Sequence, residues 1–351
     1  MTVPIAGESG GTPMVSVIVP CRNEQAYIAS CIDSILASTY PADRMEVIVV
    51  DGASDDGTRD VLSSYASRGR LRVIDNPARI TPVALNLGIA AARGGVIVRM
   101  DAHNEYPVDY VTRLVGWLER SGADNVGGVC RTRPGAETPM AHGIAAALAH
   151  PFGVGNSYFR IGVGEPRWVD TVPFGCYRRE VFDRIGGFDE TLARNQDDEF
   201  NLRLRRANGR ILLVPEVECV YYARATLRQL ARMYYQYGFF KPYVARKVGA
   251  LSVRQLVPPL FVIALAAGTV GAVLWPPARL LLGAVVGVYT LAVVGVSLSV
   301  VRRLGASAAS RLVVIFPVLH LSYGVGYLRG ALDLMLGRWR RGRSLATPLS
   351  R

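Results

Sequence analysis

Residues 47–58 read VIVVDGASDDGT, and this stretch contains the local pattern that decides the fold. Four consecutive β-branched residues predict a buried strand. The aspartate-glycine turns that follow lead into a helical pattern from Thr58 onward. A buried strand that ends in an acidic turn and continues into a helix is the repeating unit of an α/β protein.

The same unit recurs on both sides of this stretch. We expect strands at residues 15–19, 46–50, 71–74 and 95–100, and helices at 23–36, 58–65 and 81–92. This alternation predicts a mostly parallel sheet with helices on both of its faces. Such sheets bind ligands beyond the carboxyl ends of their strands. The polar residues that follow those ends are therefore expected to converge on one crevice.

Composition limits the class of protein. Of 351 residues, 50% are hydrophobic and 19% are charged, which argues against a disordered chain. Forty basic residues against 28 acidic ones give a net charge of +12. Such an excess suits nucleic acid, anionic lipid or a phosphorylated substrate, and the long uncharged stretches favour lipid. The five cysteines are scattered without a C-x-x-C pair, so we expect reduced thiols in a cytosolic domain and no zinc site.

The sequence divides into five expected regions. Residues 1–14 are expected to be a disordered leader, 15–225 an α/β domain, 226–254 an interfacial amphipathic helix region, 255–336 a transmembrane region and 337–351 a basic tail. Basic residues alternate with aromatic ones between residues 227 and 247, which suits a helix at a membrane surface. A packed amphipathic helix inside the first domain is the alternative.

Two membrane spans are firm and a third is ambiguous. Residues 256–275 and 280–301 are each long enough to cross a ~30 Å hydrocarbon layer. The excess of arginine on one side of these spans predicts that the α/β domain lies inside the cell. A third span at residues 312–336 would carry the basic tail to the outside, against that rule. The third segment is therefore expected to cross despite the rule, or to be re-entrant or interfacial.

Three acidic positions are candidates for chemistry. Asp51 follows a strand and can accept a hydrogen bond from a nucleotide base or ribose, whereas the aspartates after it suit helix capping. Asp101 and His103 combine a carboxylate with an imidazole, which suits Mn²⁺ or Mg²⁺ held largely by diphosphate oxygens. Asp197 begins a run of three acids that either favours a helix dipole or supplies a general base for a sugar hydroxyl.

The set of motifs resembles glycosyltransferase family 2, the inverting GT-A group that uses nucleotide-diphosphate sugars. It includes VSVIVPCRNEQAYI at 15–28, VIVVDGASDDGT at 47–58, VRMDAHNEYP at 98–107 and QDDEFNLRLR at 196–205. The DAH form of the third motif, with HLSYG at 320–324, is similar to the subgroup of the succinoglycan-elongating membrane transferase. The resemblance therefore implies a GT-A catalytic domain, of Rossmann-like mostly parallel α/β class, followed by an α-helical membrane domain.

The resemblance also implies roles for individual residues. Asp197 takes the position of the catalytic base, with Asp198 as the runner-up, and Gln196 and Glu199 stand where the family has Glu and a second Asp. Positions that line the nucleotide pocket, contact the uracil or hold the metal are Pro20, Asn23, Glu24, Asp51, Asp101 and His103. The ionisable His320, in the third apolar segment, is a weaker candidate for contact with a lipid diphosphate.

The implied reaction moves a sugar from a UDP-sugar, with a divalent cation, to a polyprenyl-diphosphate-linked saccharide at the bacterial inner membrane. The catalytic domain is expected to be cytoplasmic. A processive polysaccharide synthase is the first alternative, although residues 236–241 only loosely match the Gln-x-x-Arg-Trp motif of such enzymes. A basic, membrane-associated nucleic-acid-binding protein is an alternative of another class, but no nucleic-acid motif is present. An inactive scaffold is disfavoured because the three candidate aspartates are intact.

Overall fold

The structure is a computed structural model that describes residues 11–249 and 253–338. Most of the expected leader and basic tail lies outside the described residues. The chain forms two compact units. The first runs up to Arg131 and includes Ile161–Tyr221, and the second combines Thr132–Arg160 with the described residues from Tyr222 onward.

The first unit is built on the expected α/β sheet. The strands are β1 (Val15–Cys21), β2 (Met45–Asp51), β3 (Arg72–Asp75), β4 (Val96–Arg99), β5 (Asn125–Arg133), β6 (Arg167–Trp168), β7 (Cys176–Arg178) and β8 (Ile211–Tyr222). Their order in the sheet is β3-β2-β1-β4-β7-β5-β8-β6, and β1, β2, β3 and β4 pair in parallel. Antiparallel pairs join β7 to β4 and β5, and β6 to β8.

Helices are interspersed with the strands along the chain as far as β8, and only helices follow β8 in the described residues. They are α1 (Ile28–Leu36), α2 (Thr58–Ala66), α3 (Thr81–Ala91), α4 (Tyr110–Ser121), α5 (Pro139–Leu148), α6 (Pro151–Val154), α7 (Tyr158–Ile161), α8 (Arg179–Ile185), α9 (Gln196–Arg206), α10 (Leu227–Val248), α11 (Val253–Leu274), α12 (Ala278–Ser299), α13 (Val301–Leu304) and α14 (Ala306–Met335). The first helix begins at Ile28 and not at the expected residue 23. Asn23 has a φ of 53°, a left-handed conformation that a helix does not accept, and it belongs to the loop after β1.

The core of the first unit lies between the central strands and the helices beside them. Val17, Ile18 and Val19 of β1 are completely buried, as expected for a strand covered on both faces. Helix α3 packs closely on this strand at Gly88, where an added Cβ would lie 2.5 Å from Ile18 Cγ2. The central strands are therefore fixed in place, and so are the loops at their carboxyl ends.

The second unit gathers residues that the sequence analysis assigned to two regions. Residues 132–160, expected within the first domain, pack with the C-terminal helices. Helix α5 is rich in alanine and glycine, and Gly143 allows it to approach Ile315 of α14 closely. Small side chains bring helix backbones together, which makes such a segment a good packing partner for an apolar helix.

Helix α10 is more deeply packed than an isolated surface helix would be. Phe239, Phe240 and Tyr243 are buried, although the sequence analysis assigned such aromatic residues to the membrane surface. Gly326 and Gly330 of α14 contact the backbone of α10 so closely that an added Cβ would lie 2.1 Å from a carbonyl oxygen. Because these glycines let α14 approach α10 closely, the aromatic side chains of α10 pack against protein.

Among the described residues, three helices are long and apolar enough to cross a membrane. They are Val253–Leu274, Ala278–Ser299 and Ala306–Met335. In the third, His320 has both ring nitrogens in contact with protein: Nδ1 lies 2.8 Å from Tyr289 Oη and Nε2 lies 2.9 Å from Phe152 O. This arrangement links α12, α14 and the start of α6. It gives His320 a structural role and leaves neither nitrogen for the lipid diphosphate that the sequence analysis considered.

Candidate active site

Two loops at the carboxyl edge of the sheet are held together by hydrogen bonds. The register pairs Cys21 at the end of β1 with Asp51 at the end of β2. Just beyond them, Asn23 Nδ2 donates to Asp55 Oδ1 at 2.8 Å, and the Asp55 amide donates back to Asn23 Oδ1 at 3.0 Å. The Glu24 amide donates to Thr58 Oγ1 at 2.8 Å. The loop after Pro20 is therefore a pre-formed part of the crevice.

Asp51 is fully buried and both of its carboxylate oxygens accept hydrogen bonds from the protein. Ser54 Oγ donates to Oδ1 at 2.5 Å, and Arg59 Nε donates to Oδ2 at 2.6 Å. The Asp51 hydrogen bond and charge raise the pKa of Arg59 above its ordinary value. Asp51 thus orders the turn that leads into α2, and its expected contact with uracil stays a prediction.

Glu24 and His103 come from distant parts of the sequence and meet at this edge. Glu24 Oε1 lies 3.4 Å from His103 Nδ1, with Glu24 buried and the imidazole partly exposed. Glu24 follows β1 and His103 follows β4, and these two strands are neighbours in the sheet. The sequence analysis expected the polar residues after the strand ends to converge on one crevice, and the structure brings Glu24 into contact with His103.

The buried Arg99 links two of the candidate carboxylates. Its guanidinium lies 3.2 Å from Asp101 Oδ1, and only 7% of its side chain is exposed. Burial alone would lower the pKa of Arg99, but the charges of Asp101 and Asp197 outweigh it and raise the pKa above its ordinary value. The charges of Asp101 and Asp197 therefore act on one guanidinium although almost a hundred residues separate them in the sequence.

The acidic run at the start of α9 divides into different roles. Asp197 and Asp198 are partly exposed in the first turn, and Asp197 Oδ1 accepts a hydrogen bond from the Asp198 amide at 3.0 Å. Glu199 is completely buried and forms a bidentate pair with Arg203, with both distances 2.9 Å. Glu199 is thus occupied in holding α9, and the two aspartates are the members of the run that solvent can reach.

The turn before α9 is fixed by residues outside the acidic run. Asn86 of α3 donates to Phe188 O at 2.9 Å and accepts from the Phe188 amide at 2.8 Å. Arg203 donates to Gly187 O at 2.7 Å from the other side. These contacts join the sequence NLG at 86–88 to the sequence GGFDE at 186–190, and they place the segment from which α9 begins.

The donor atoms at the ends of β1 and β4 fit a divalent cation that is bound mainly by a ligand. No group of three or more His, Cys, Asp or Glu side chains in the described residues is arranged to hold a metal by itself. The Asp101 carboxylate is 18% exposed and the His103 imidazole is 41% exposed. One carboxylate and one imidazole suit Mn²⁺ or Mg²⁺ when diphosphate oxygens complete the coordination.

The sequence analysis missed Arg99 and gave Asn86 no individual role. Arg99 is a charged residue within the apolar strand 96–99, directly before the candidate metal residues. A lone charge in a buried strand requires a partner, so this position could have been recognised as part of the site. The role of Asn86 depends on a contact with a turn 102 residues away and has no local signal.

Comparisons with known proteins agree with this fold. The model of the family described as Glycosyl transferase family 2 matches residues 16–186, a range that ends before Asp197. The succinoglycan biosynthesis protein ExoA of Rhizobium meliloti (strain 1021) is 32% identical over 326 residues, which cover 90% of this chain and 94% of that protein.

Two further proteins extend the comparison. A dolichyl N-acetyl-α-D-glucosaminyl phosphate 3-β-D-2,3-diacetamido-2,3-dideoxy-β-D-glucuronosyltransferase of Methanococcus voltae is 25% identical, over 70% of this chain and 77% of its own. The fold also resembles the mannosyltransferase PcManGT from Pyrobaculum calidifontis, solved with GDP-Man and Mn²⁺. The TM-score is 0.61 at 23% identity, and the match covers 93% of this chain and 90% of that one. The fold, the motifs and these relatives together show that the chain belongs to glycosyltransferase family 2.

Proposed function

We propose that the protein is a membrane-anchored, inverting glycosyltransferase that moves a sugar from a UDP-sugar to a polyprenyl-diphosphate-linked saccharide. The observation that carries the proposal is the ion pair of the buried Arg99 with Asp101, together with the charge of Asp197, which acts on the same guanidinium. It relates a carboxylate suited to a metal-diphosphate to a carboxylate suited to activating an acceptor. Relatives in polysaccharide synthesis and in transfer to a dolichyl-linked sugar support the class of acceptor.

The nucleotide would bind along the loop after β1. Pro20 lies near the end of β1, just before this loop. Asn23 ties the loop to Asp55, and Glu24 contacts His103. Asp51 holds the neighbouring turn in place. Asp101 and His103 would hold Mn²⁺ or Mg²⁺, which offsets the charge on a leaving diphosphate when bound. The Arg99 guanidinium fixes the Asp101 carboxylate and adds positive charge on its buried side.

Asp197 would act as the general base. A carboxylate near the sugar removes the proton from the acceptor hydroxyl as the hydroxyl oxygen attacks the anomeric carbon. Attack from the face opposite the diphosphate forms the new glycosidic bond as the bond to the diphosphate breaks, and this inverts the anomeric configuration. Asp198, adjacent in the same turn, is the alternative base.

The test is nucleotide release by the purified full-length chain in detergent. A panel of UDP-sugars, with GDP-mannose as a comparison, is assayed with Mn²⁺, with Mg²⁺ and with a chelator, in the presence and absence of lipid-linked saccharides. We expect metal-dependent release of UDP from one donor, stimulated by one acceptor. Release of GDP alone would contradict the UDP assignment, and no release from any pair would contradict the proposed reaction.

A processive synthase is the second candidate, because it would use the same donor and base. The relevant observation is the presence of at most three candidate spans in the described residues, which is few for a polymer channel. The product length obtained with a single acceptor distinguishes the two. We expect addition of one sugar, and a ladder of products would favour the synthase.

A further inference from the structure

In the second unit, the links between α10 and α11 and between α12 and α14 are short. They are too short for all four helices to lie parallel or antiparallel to one another. Their contacts fix which parts of each helix lie at the same level. From these contacts the direction of each helix relative to α14 can be worked out, independently of the proposed transfer reaction.

Helices α10 and α14 run in the same direction. Gly326 of α14 faces the Tyr235 carbonyl of α10, and Gly330 faces the Phe239 carbonyl four residues further along both helices. A helix rises about 1.5 Å per residue, so equal steps along both chains mean parallel axes. The two helices therefore form one closely packed pair.

Helices α11 and α12 form an antiparallel hairpin. Gly271 faces Ala278, Gly268 faces Leu282, and the rings of Phe261 and Tyr289 lie 4.5 Å apart. Successive contacts move forward along α12 and backward along α11 by similar numbers of residues. The hairpin tip therefore lies between Leu274 and Ala278.

The hairpin touches α14 away from its tip. Gly324 of α14 faces Pro258 near the start of α11, and His320 contacts Tyr289 in the middle of α12. These two contacts set the levels at which the hairpin meets α14. The covalent links at the two ends of the hairpin then limit its direction.

A hairpin with α11 parallel to α14 is excluded by the first link. In that arrangement Val248 at the end of α10 and Val253 at the start of α11 would be ~30 Å apart along the axis. The five Cα-to-Cα steps that join these positions reach at most ~18 Å. The α11 helix therefore does not run alongside α14 in the same direction.

A hairpin with α11 antiparallel to α14 is excluded by the second link. It would make α12 parallel to α14 and separate Ser299 from Ala306 by ~36 Å. Seven residues of chain reach at most ~25 Å. Since neither alignment closes both links, the hairpin is steeply inclined to the α10–α14 pair, and the two cannot both lie along the membrane normal.

Charge and exposure decide which of them crosses the membrane. Between Gln255 and Val301 the only charged residue is Arg279, at the hairpin tip. Only 6% of the apolar window of α11 and 11% of that of α12 is buried within the protein, against 39% for α14. Helix α10 is packed along α14 and carries the basic residues Arg228, Arg232, Lys241, Arg246 and Lys247. The register places α10 beside the second half of α14, so if that half crossed the bilayer, the exposed α10 charges beside it would enter hydrocarbon at a cost of about 3 kcal/mol each near its centre.

We propose that α14 lies along the membrane surface with α10, and that the α11–α12 hairpin supplies the only crossings among the described helices. The outer side of α14 exposes Val313, Val325, Leu332 and Met335, while Gly326 and Gly330 face α10. An apolar outer side beside charged residues is typical of a helix seated at the head-group level. The partner of this surface is a lipid layer with anionic head groups, since the adjacent α10 exposes the basic residues Arg228, Arg232, Arg246 and Lys247.

The proposal resolves the conflict over the third segment. With two crossings, the basic tail lies on the same side of the membrane as α10, and the side that receives the hairpin tip carries Arg279. All the strongly basic segments then lie on one side of the membrane, as the positive-inside rule requires. With three crossings, the tail would lie on the side of the hairpin tip.

Single cysteines labelled in sealed membrane vesicles of both orientations test the proposal. The five native cysteines are all buried, so the parent chain provides a low background. The variants are Arg228→Cys in α10, Arg279→Cys at the hairpin tip and Arg338→Cys after α14. We expect a membrane-impermeant maleimide to label the first and third from one face and the second from the other. Labelling of Arg338→Cys from the face that labels Arg279→Cys would overturn the proposal.

A second measurement covers the case in which a cysteine variant fails to insert. Green fluorescent protein, which fluoresces only when it folds inside the cell, is fused to either end of the unaltered chain. An even number of crossings makes the two fusions behave alike, which we expect. One bright and one dark fusion at equal protein levels would mean an odd number and would contradict the two-crossing arrangement. Neither measurement depends on transferase activity, so both remain valid if the proposed reaction is wrong.

Discussion

The Arg99 guanidinium lies 3.2 Å from the Asp101 carboxylate at the point where β4 reaches the edge of the sheet. The arginine side chain is almost completely buried, whereas the carboxylate remains partly accessible. The positive charge therefore lies on the buried side of the acidic site. This arrangement lowers the repulsion between carboxylates that must lie close together to serve one ligand.

Replacing Arg99 by Met should destabilise the protein by about 3 kcal/mol, because the neighbouring carboxylates lose their cation. Added Mn²⁺ should raise the unfolding temperature of Arg99→Met more than that of the parent chain, since the metal replaces the missing charge. The matched control is Arg113→Met, which breaks an exposed pair with Asp109 and should change stability by less than about 1 kcal/mol. Thermal unfolding in detergent checks both. Equal metal responses in the two variants would count against this role of Arg99.

Replacing Arg203 by Met should be one of the most destabilising changes at the site. Glu199 is completely buried, and its carboxylate would lose a bidentate partner, at a cost of about 3–5 kcal/mol. Arg205→Met, on an exposed position of the same helix, serves as the control. Thermal unfolding compares the two variants. If both unfold at the temperature of the parent chain, the Glu199–Arg203 pair does not hold α9 in place.

Glu46 should make stability depend on acid pH. Burial alone would raise the pKa of Glu46, but hydrogen bonds from Ser16 and the Arg93 amide outweigh it and hold the pKa below its ordinary value. A depressed folded-state pKa stabilises the fold above the unfolded-state pKa, and this contribution is lost as the pH falls through the folded-state value.

The variant Glu46→Gln should therefore unfold at a lower temperature than the parent chain at pH 7, by the equivalent of about 1–2 kcal/mol. The difference should shrink as the pH falls from the ordinary glutamate pKa towards the lower folded-state pKa, where the folded carboxylate becomes protonated. Unfolding temperatures measured between pH 7 and pH 3.5 follow this change, with the exposed Glu119→Gln as control. A difference that stays constant over the whole range would show that Glu46 does not titrate as described.

The glycines of α14 should tolerate no side chain. An alanine Cβ at Gly326 would lie 2.1 Å from the Tyr235 carbonyl, so α10 and α14 would have to separate, at a cost of about 1–3 kcal/mol. At Gly287 of α12 nothing lies within 4 Å of an added Cβ, and alanine there should be neutral or stabilising. Unfolding temperatures of Gly326→Ala and Gly287→Ala in detergent provide the comparison. Equal temperatures would contradict the close packing of the two helices.

The sheet could be predicted from the sequence because each central strand is a short β-branched run that ends at a polar turn. Val17, Val49 and Val98 illustrate this pattern, and all three are completely buried. The convergence of Glu24 with His103 followed from the rule that parallel strands present their carboxyl ends at one edge.

Other features depend on contacts that no local pattern contains. Asn23 has helical neighbours in the sequence, but its side chain is held by a loop 32 residues away, and the helix begins later. Residues 132–160 were expected in the first domain because they lie between its strands, although their small side chains suit packing against α14. The sequence of β4 alone does not reveal that the charge of Asp197, as well as that of Asp101, acts on Arg99.

The central claim is that Asp197 removes the proton from the acceptor. The measurement that tests it most directly compares transfer rate and donor affinity in Asp197→Asn and Asp198→Asn, with the same purified preparation and the same acceptor. We predict that Asp197→Asn loses transfer by on the order of 10³-fold while nucleotide affinity is unchanged, and that Asp198→Asn retains most of its activity. Near-normal transfer by Asp197→Asn, or loss of transfer only in Asp198→Asn, would contradict the assignment.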